Sequence, residues 1–203
     1  MQRHAKDLCL RPGENSVENR FDTERLLIRP LVPDDAKDMF RYRSDPEISR
    51  YQNWEPKTLQ EMGCFIQQQM ALAQALPGKW RQFGIFLRQS HKMAGDVGIH
   101  VLKADPRQAE VGITLAKESQ GLGLATEALH AVLRYLFLDL GKHRVFASVD
   151  PRNKPSVALL ERVGMRREAH FVESLWFKGA WADDLVYAML CREFPANPML
   201  TTE

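Results

Sequence analysis

The first apolar run, Arg25-Leu-Leu-Ile-Arg-Pro30, reads as a strand that Pro30 and Pro33 end, because proline brings no N–H to a ladder. Asp34 or Asp35 then caps a short helix in which Ala36, Met39 and Phe40 share a face. Thr58-Leu-Gln-Glu61 has the capping-box spacing, and Met62, Phe65, Ile66, Met70 and Ala73 follow at helical intervals. This predicts a second helix ending near Pro77-Gly78. Trp80 to Arg88, Gly95 to Leu102 and Gln108 to Leu115 are strand-like runs parted by polar turns, which predicts an antiparallel meander.

In the third of these runs Ala109, Val111, Ile113 and Leu115 alternate with Glu110, Gly112 and Thr114. A glycine inside a strand marks a bulge, a close approach of ligand to backbone, or a weakened strand with a solvated face. Next comes Gln120-Gly-Leu-Gly-Leu-Ala-Thr126, followed by a helical stripe of Ala125, Leu129, Val132, Leu133, Leu136 and Phe137. Glu127, His130 and Arg134 form its polar face, and Gly141 ends it. Arg144 to Val149 is apolar on both faces, as a central strand would be. Asn153 can cap a helix carrying Val157, Leu160 and Val163, stopped at Gly164. The last forty residues predict a hairpin turning at Lys178-Gly179, with Trp176 and Trp181 beside the turn. The whole is a mixed α/β domain.

Composition removes several functional classes. The chain has 203 residues, 44% hydrophobic and 27% charged, which suits one globular domain over residues 21–194 with polar segments at 1–20 and 195–203. A formal charge of +2 with scattered Lys and Arg gives no electrostatic footprint for nucleic acid. No run approaches the roughly 20 apolar residues of a membrane span, and the N-terminus has no apolar signal core. Cys9, Cys64 and Cys191 are odd in number and widely spaced, which suggests neither a disulfide framework nor a metal knuckle and fits a reducing cytoplasm. The histidines lack zinc-enzyme spacing, so no metal is expected.

The glycine loop carries the chemistry. Two glycines before a helix let the backbone approach a ligand, and the first N–H groups of that helix have no intrahelical partner, so an anion such as a diphosphate fits there. The loop lacks the Gly-Lys-Ser/Thr ending of a nucleotide P-loop.

Taken with Asp150-Pro-Arg-Asn-Lys-Pro-Ser156, this loop resembles the (Gln/Arg)-x-x-Gly-x-(Gly/Ala) pattern of the GNAT superfamily of acyl-CoA-dependent N-acetyltransferases. Thr23-Glu-Arg-Leu-Leu-Ile-Arg-Pro30, Leu159-Leu-Glu-Arg-Val-Gly-Met165 and Trp176-Phe-Lys-Gly179 resemble its RimJ/RimL branch, whose members acetylate protein N-termini, with relatives acting on small amines. The resemblance implies a GNAT fold: a mostly antiparallel twisted sheet of about seven strands, splayed between the fourth and fifth, with about four helices. It implies acetyl-CoA as co-substrate, an amine acceptor, and a monomer or homodimer. The coenzyme A diphosphate would sit on Gln120, Gly121, Leu122, Gly123, Leu124, Ala125 and Thr126, and the pantetheine beside Gly112 to Leu115 (Ile113, Thr114 and Leu115 among them) and at Asn153. Ser156 would lie near the thiol.

Acetyl transfer needs a neutral amine, a polarised carbonyl and a proton for the departing thiolate. An α-amine with a reference pKa of about 8 is partly neutral at pH 7, whereas a lysine-type amine near 10.4 loses roughly 3 to 5 kcal/mol in its neutral fraction. Glu110 is the first candidate base, sharing a strand face with Gly112 and Thr114; Glu173 on the hairpin is the second, and a water held by either is a third. An N–H near Ile113 to Leu115, released by a bulge, would bind the carbonyl oxygen. Ser156 would return the proton, and Tyr135 belongs to core packing. Trp54, Trp176 and Trp181 are candidates for an acceptor cleft, with burial expected for at least two. The acceptor itself is not encoded legibly, and a domain that only senses acyl-CoA stays open.

Overall fold

The computed structural model describes residues 20–72 and 77–195. The expected terminal segments, apart from Arg20 and Pro195, lie outside the described residues, as does Ala73. Strand β1 (Phe21–Asp22) pairs with β2 (Leu26–Pro30), which pairs antiparallel with β3 (Trp80–Leu87). The meander continues through β4 (Met93–Val101) and β5 (Gln108–Leu115). Beyond it, β6 (Arg144–Val149) runs parallel to β5, and the hairpin of β7 (Arg166–Phe177) and β8 (Ala180–Leu190) closes the far edge. The sheet order is β1-β2-β3-β4-β5-β6-β8-β7. The expected mixed, mostly antiparallel architecture is therefore present, with eight strands among the described residues rather than seven, because the two-residue β1 is too short to show an alternation in sequence.

Among the described residues five α-helices cover the sheet on two sides. On one side, α1 (Ala36–Arg43), α2 (Pro46–Ser49) and α3 (Leu59–Ala71) enclose a core of Leu31, Met39, Tyr42, Met62, Ile66, Phe86 and Met93. On the other, α4 (Leu124–Arg134) and α5 (Lys154–Arg162) pack Leu129, Leu133, Leu159 and Leu160 against Val97, Val111, Val145 and Tyr187. The α4 stripe is the expected one, continued through a π-helical turn at Tyr135–Asp139. Tyr135 packs 4.5 Å from the Phe21 ring.

Several local expectations are corrected. Asp35 does not cap α1 with its side chain; it ion-pairs with Arg29 at 2.8 Å and accepts from the Val32 N–H. Thr58 caps α3 through the Glu61 N–H, while the Glu61 carboxylate takes the Lys57 N–H instead of completing the box. The α3 helix ends at Ala71, and Met70 is exposed. In β6, Val145, Ala147 and Val149 are buried but Ser148 is exposed, because helices cover only one face there. The Lys178-Gly179 turn is as expected: φ is +48° and +86°, the left-handed pair that a two-residue hairpin requires. Trp176 and Trp181 meet edge to face at 5.4 Å but are exposed, because the hairpin tip extends past the helices.

Candidate active site

Strands β5 and β6 pair only at Gln108, Ala109 and Glu110, opposite Arg144, Val145 and Phe146. Past that point they diverge. Against β4, by contrast, β5 keeps an unbroken register from Ala109 to Leu115, so it has no bulge. The bonds from the Leu102 N–H to the Gln108 carbonyl and from the Ala116 N–H to the Ala94 carbonyl set the phase of the antiparallel ladder. By its alternation, Glu110, Gly112 and Thr114 spend their main-chain groups on β4, whereas those of Val111, Ile113 and Leu115 face the gap. The divergence of β6, and not the expected bulge, releases these groups. Gln120 takes the Leu115 carbonyl at 3.1 Å.

A cavity of about 440 Å³ runs through this gap. On the α1–α3 side its walls are Trp80, Gln82, Glu110 and Asp184; on the α4–α5 side they are Leu129, Asn153 and Ser156. Two reactants can thus meet from opposite faces of one sheet. The loop after α2 contributes Trp54, which is half-buried and stacks on Phe65 at 4.5 Å. Lys178 ties the hairpin turn to the end of α2, where that loop begins, by donating to the Ser49 carbonyl at 2.7 Å, so the acceptor side is walled by both.

Beneath it lies a buried charged cluster. Asp96 has no exposed surface and accepts from both Arg43 and Gln82, and from the Tyr42 hydroxyl at 2.6 Å. Burial first, then the Asp96 charge, hold the Tyr42 phenol well above its ordinary pKa. The carboxylate neutralises a guanidinium that would otherwise be stranded in an apolar floor.

Glu110 is half-buried, 3.4 Å from His100, whose ring stacks on Trp80 with centroids 5.2 Å apart. Its pKa is raised: burial dominates, His100 opposes it, and the charge of Asp184 adds to it. A carboxylate in this state holds a proton more readily than an ordinary one, which suits a base.

The glycine loop stands where β5 ends. Gly121 and Gly123 have φ of +74° and +76°, a region that L side chains rarely occupy. A Cβ on Gly121 would meet nothing within 4 Å, so its backbone is open to a ligand. Leu122 is exposed, while Leu124, Ala125 and Thr126 form the first turn of α4, with N–H groups that have no intrahelical acceptor. Asn153 caps α5 by accepting from the Ser156 N–H at 3.3 Å, and both line the cavity. Open glycine backbone, free helix N–H groups and an unpaired strand edge together fit a diphosphate joined to an amide-bearing arm. Glu173 stands apart: it is exposed on β7, where the register with β8 slips, at φ +46°, its N–H donated to Asp183, and it does not line the cavity.

Residues 25–166 match the model of the acetyltransferase (GNAT) domain family. The chain belongs to the GNAT acetyltransferases. As a GNAT enzyme it is 31% identical over 173 residues to the uncharacterized N-acetyltransferase p20 of Bacillus licheniformis, an alignment covering 85% of this chain and 96% of that protein. It is 28% identical over 183 residues to the ribosomal protein uS5-alanine N-acetyltransferase of Escherichia coli, covering 86% and 92%. The structure of spermidine N-acetyltransferase from Vibrio cholerae, in complex with CoA and spermine, superposes with a TM-score of 0.73 at 25% identity, covering 84% and 98%.

Sequence reasoning about this GNAT site missed its anchors. Arg25 donates to Glu127 at 2.6 Å and to the Leu122 carbonyl at 2.9 Å, and Thr23 donates to Glu127 at 2.5 Å. Burial opposes the Glu127 charge, but these bonds outweigh it and lower its pKa. They lock the glycine loop to the start of β2. The Thr23-x-Arg25 pair was visible at the start of the first predicted strand, but its partner lies about a hundred residues away.

Proposed function

We propose that this enzyme transfers the acetyl group of acetyl-CoA to the N-terminal α-amine of a protein or peptide, by direct attack in a ternary complex. The cavity through the β5/β6 gap carries the reading: Glu110 lies on one side of it and Ser156 on the other. Acetyl-CoA supplies the activated acyl carbon. On the donor side the loop from Gln120 to Thr126 binds the diphosphate, and the main-chain groups of Val111 and Ile113, with the Leu115 N–H, orient the arm, with Asn153 at its far side. An N–H of that edge donates to the carbonyl oxygen as negative charge develops there. On the acceptor side Glu110 removes a proton from the amine, directly or through water. The Ser156 hydroxyl supplies one at the sulfur, and a thiol reference pKa of about 8.5 makes that departure undemanding.

The choice of acceptor rests on proton affinity. Burial raises Glu110 above an ordinary carboxylate, and the reference pKa of an α-amine, about 8, lies nearer the carboxylate range than that of a lysine-type amine, about 10.4. An α-amine asks the least of it. The N-acetylation named for the uS5-alanine enzyme supports the same reading. A small polyamine is the second reading, supported by the carboxylates of Glu110 and Asp184 in the cavity and by the spermidine enzyme's similarity. Thiol release from acetyl-CoA should occur with an alanine-led peptide and vanish when its α-amine is blocked. Release with spermidine alone would favour the polyamine reading. A thermal shift with acetyl-CoA but no release with any amine would leave a sensing domain.

A further inference from the structure

Three carboxylates that line the cavity, Asp150, Asp183 and Asp184, have no part in that mechanism, and the first two are ion-paired with Arg152 and His170. Asp184 is half-buried on β8 and lines the same cavity as Glu110. Glu110 pairs with Phe146, and Ser148 lies two residues farther along the same face of β6. Val186 is opposite Ser148, so Asp184 shares that face one step closer to the hairpin turn. The Ser148 hydroxyl donates to Asp184 at 2.5 Å. The two carboxylates therefore look into one cavity from opposite banks of the β5/β6 gap. Each already has a neighbour that fixes it, His100 for Glu110 and Ser148 for Asp184.

We propose that Asp184, oriented by Ser148, is a positioning residue that receives the acceptor as its ammonium ion across the gap from Glu110 and so selects amines that arrive charged. This rests on the transferase reading above. An amine in water near pH 7 is mostly R–NH3+, and a cavity walled by Trp54, Phe65, Trp80 and Phe177 is a poor solvent for it. A carboxylate on the far bank compensates that charge before the proton leaves. The proton then passes from nitrogen to Glu110 or its water, and the freed lone pair attacks the acyl carbon. Protein groups near the pair do not replace Asp184. His100 faces Glu110 from β4; Asp183 is engaged by His170 at 2.8 Å, and Asp150 by Arg152 at 2.6 Å. The Asp184 charge also bears on Glu110 itself, raising its pKa.

The test is steady-state thiol release by wild type and Asp184→Asn across pH, with two acceptors. One is an alkylamine that is protonated at the assay pH, and the other an arylamine that is neutral there. Asparagine keeps an oxygen for Ser148. The expected result is a KM for the alkylamine raised about tenfold, corresponding to about 1.4 kcal/mol. The KM for the arylamine should not change, and the acid limb of kcat should move to lower pH, because Glu110 loses a neighbouring negative charge. Ser148→Ala should show a weaker copy of this pattern. An unchanged alkylamine KM, or an equal loss for both acceptors, would overturn the role of Asp184 while leaving the transferase reading intact. A wild type that binds acetyl-CoA and releases no thiol with any amine would overturn both.

Discussion

Gly98 and Gly112 are cross-strand partners on the floor of the cavity, and the structure assigns them opposite consequences. A Cβ at Gly98 would lie 2.7 Å from Gln82 Oε1 and 2.9 Å from the Trp80 ring. Gln82 cannot swing away freely, since its amide donates to the buried Asp96. Overpacking of this kind costs about 1–3 kcal/mol, and in a domain of this size each kcal/mol lowers Tm by about 2–4 °C. Gly98→Ala should therefore lower Tm by roughly 2–12 °C. At Gly112 the nearest atoms to a Cβ are in Trp80, 3.9 Å away, and beyond them is open cavity. A side chain there removes the glycine penalty of about 0.5–1 kcal/mol in a strand. Gly112→Val should raise Tm by roughly 1–4 °C. It should also fill the cavity beside Glu110, reducing kcat/KM for the amine by about tenfold or more, which corresponds to at least about 1.4 kcal/mol. Differential scanning fluorimetry and thiol release on the same preparations measure both. A Gly112→Val protein that is less stable than wild type, or equally active, would refute the claim that this glycine is kept open for a ligand.

Other outcomes follow from the same geometry. Gly121→Val places a branched side chain at φ +74°, a strain of about 1–2 kcal/mol, and should abolish the thermal shift produced by acetyl-CoA; an unchanged shift would remove the loop from the diphosphate site. As the proposed base Glu110 would act only when ionised, and its pKa is raised, so turnover should fall as pH drops through a value above the usual carboxylate range. Glu110→Gln should lower kcat and erase that limb, and a wild-type profile would pass the role to a water. Asp96→Asn leaves Arg43 buried without a counter-charge and should cost about 3–5 kcal/mol, read as a fall in Tm of roughly 6–20 °C; a loss under about 1 kcal/mol would show that the pair is not buried as described.

What sequence could reveal was local. The β3–β5 meander, the glycine loop and the Lys178-Gly179 turn all follow from alternation, glycine placement and spacing within a few residues of one another. Gly112 was visible as an anomaly, but the reason for it was not: the open edge beside it exists because β6 leaves β5 after three pairs. Long-range partners were equally hidden. Arg25 with Glu127, Arg43 with Asp96, and Ser148 with Asp184 are joined across tens of residues, and nothing in the spacing of either member announces the other. Glu173 shows the same limit from the other side. A strand periodicity gives its face only while the register holds, and the slip between Phe171 and Leu175 turns it outward.

In the proposed mechanism one cavity through the β5/β6 gap receives the acyl donor from the α4 side and the amine from the α1–α3 side. A crystal structure with coenzyme A and a peptide acceptor tests it most directly. The diphosphate should lie within hydrogen-bonding distance of N–H groups between Gly121 and Thr126, the pantetheine along Val111 to Leu115, and the peptide amine between Glu110 and the sulfur. A coenzyme bound elsewhere, or an amine approaching from the same face as the donor, would contradict it.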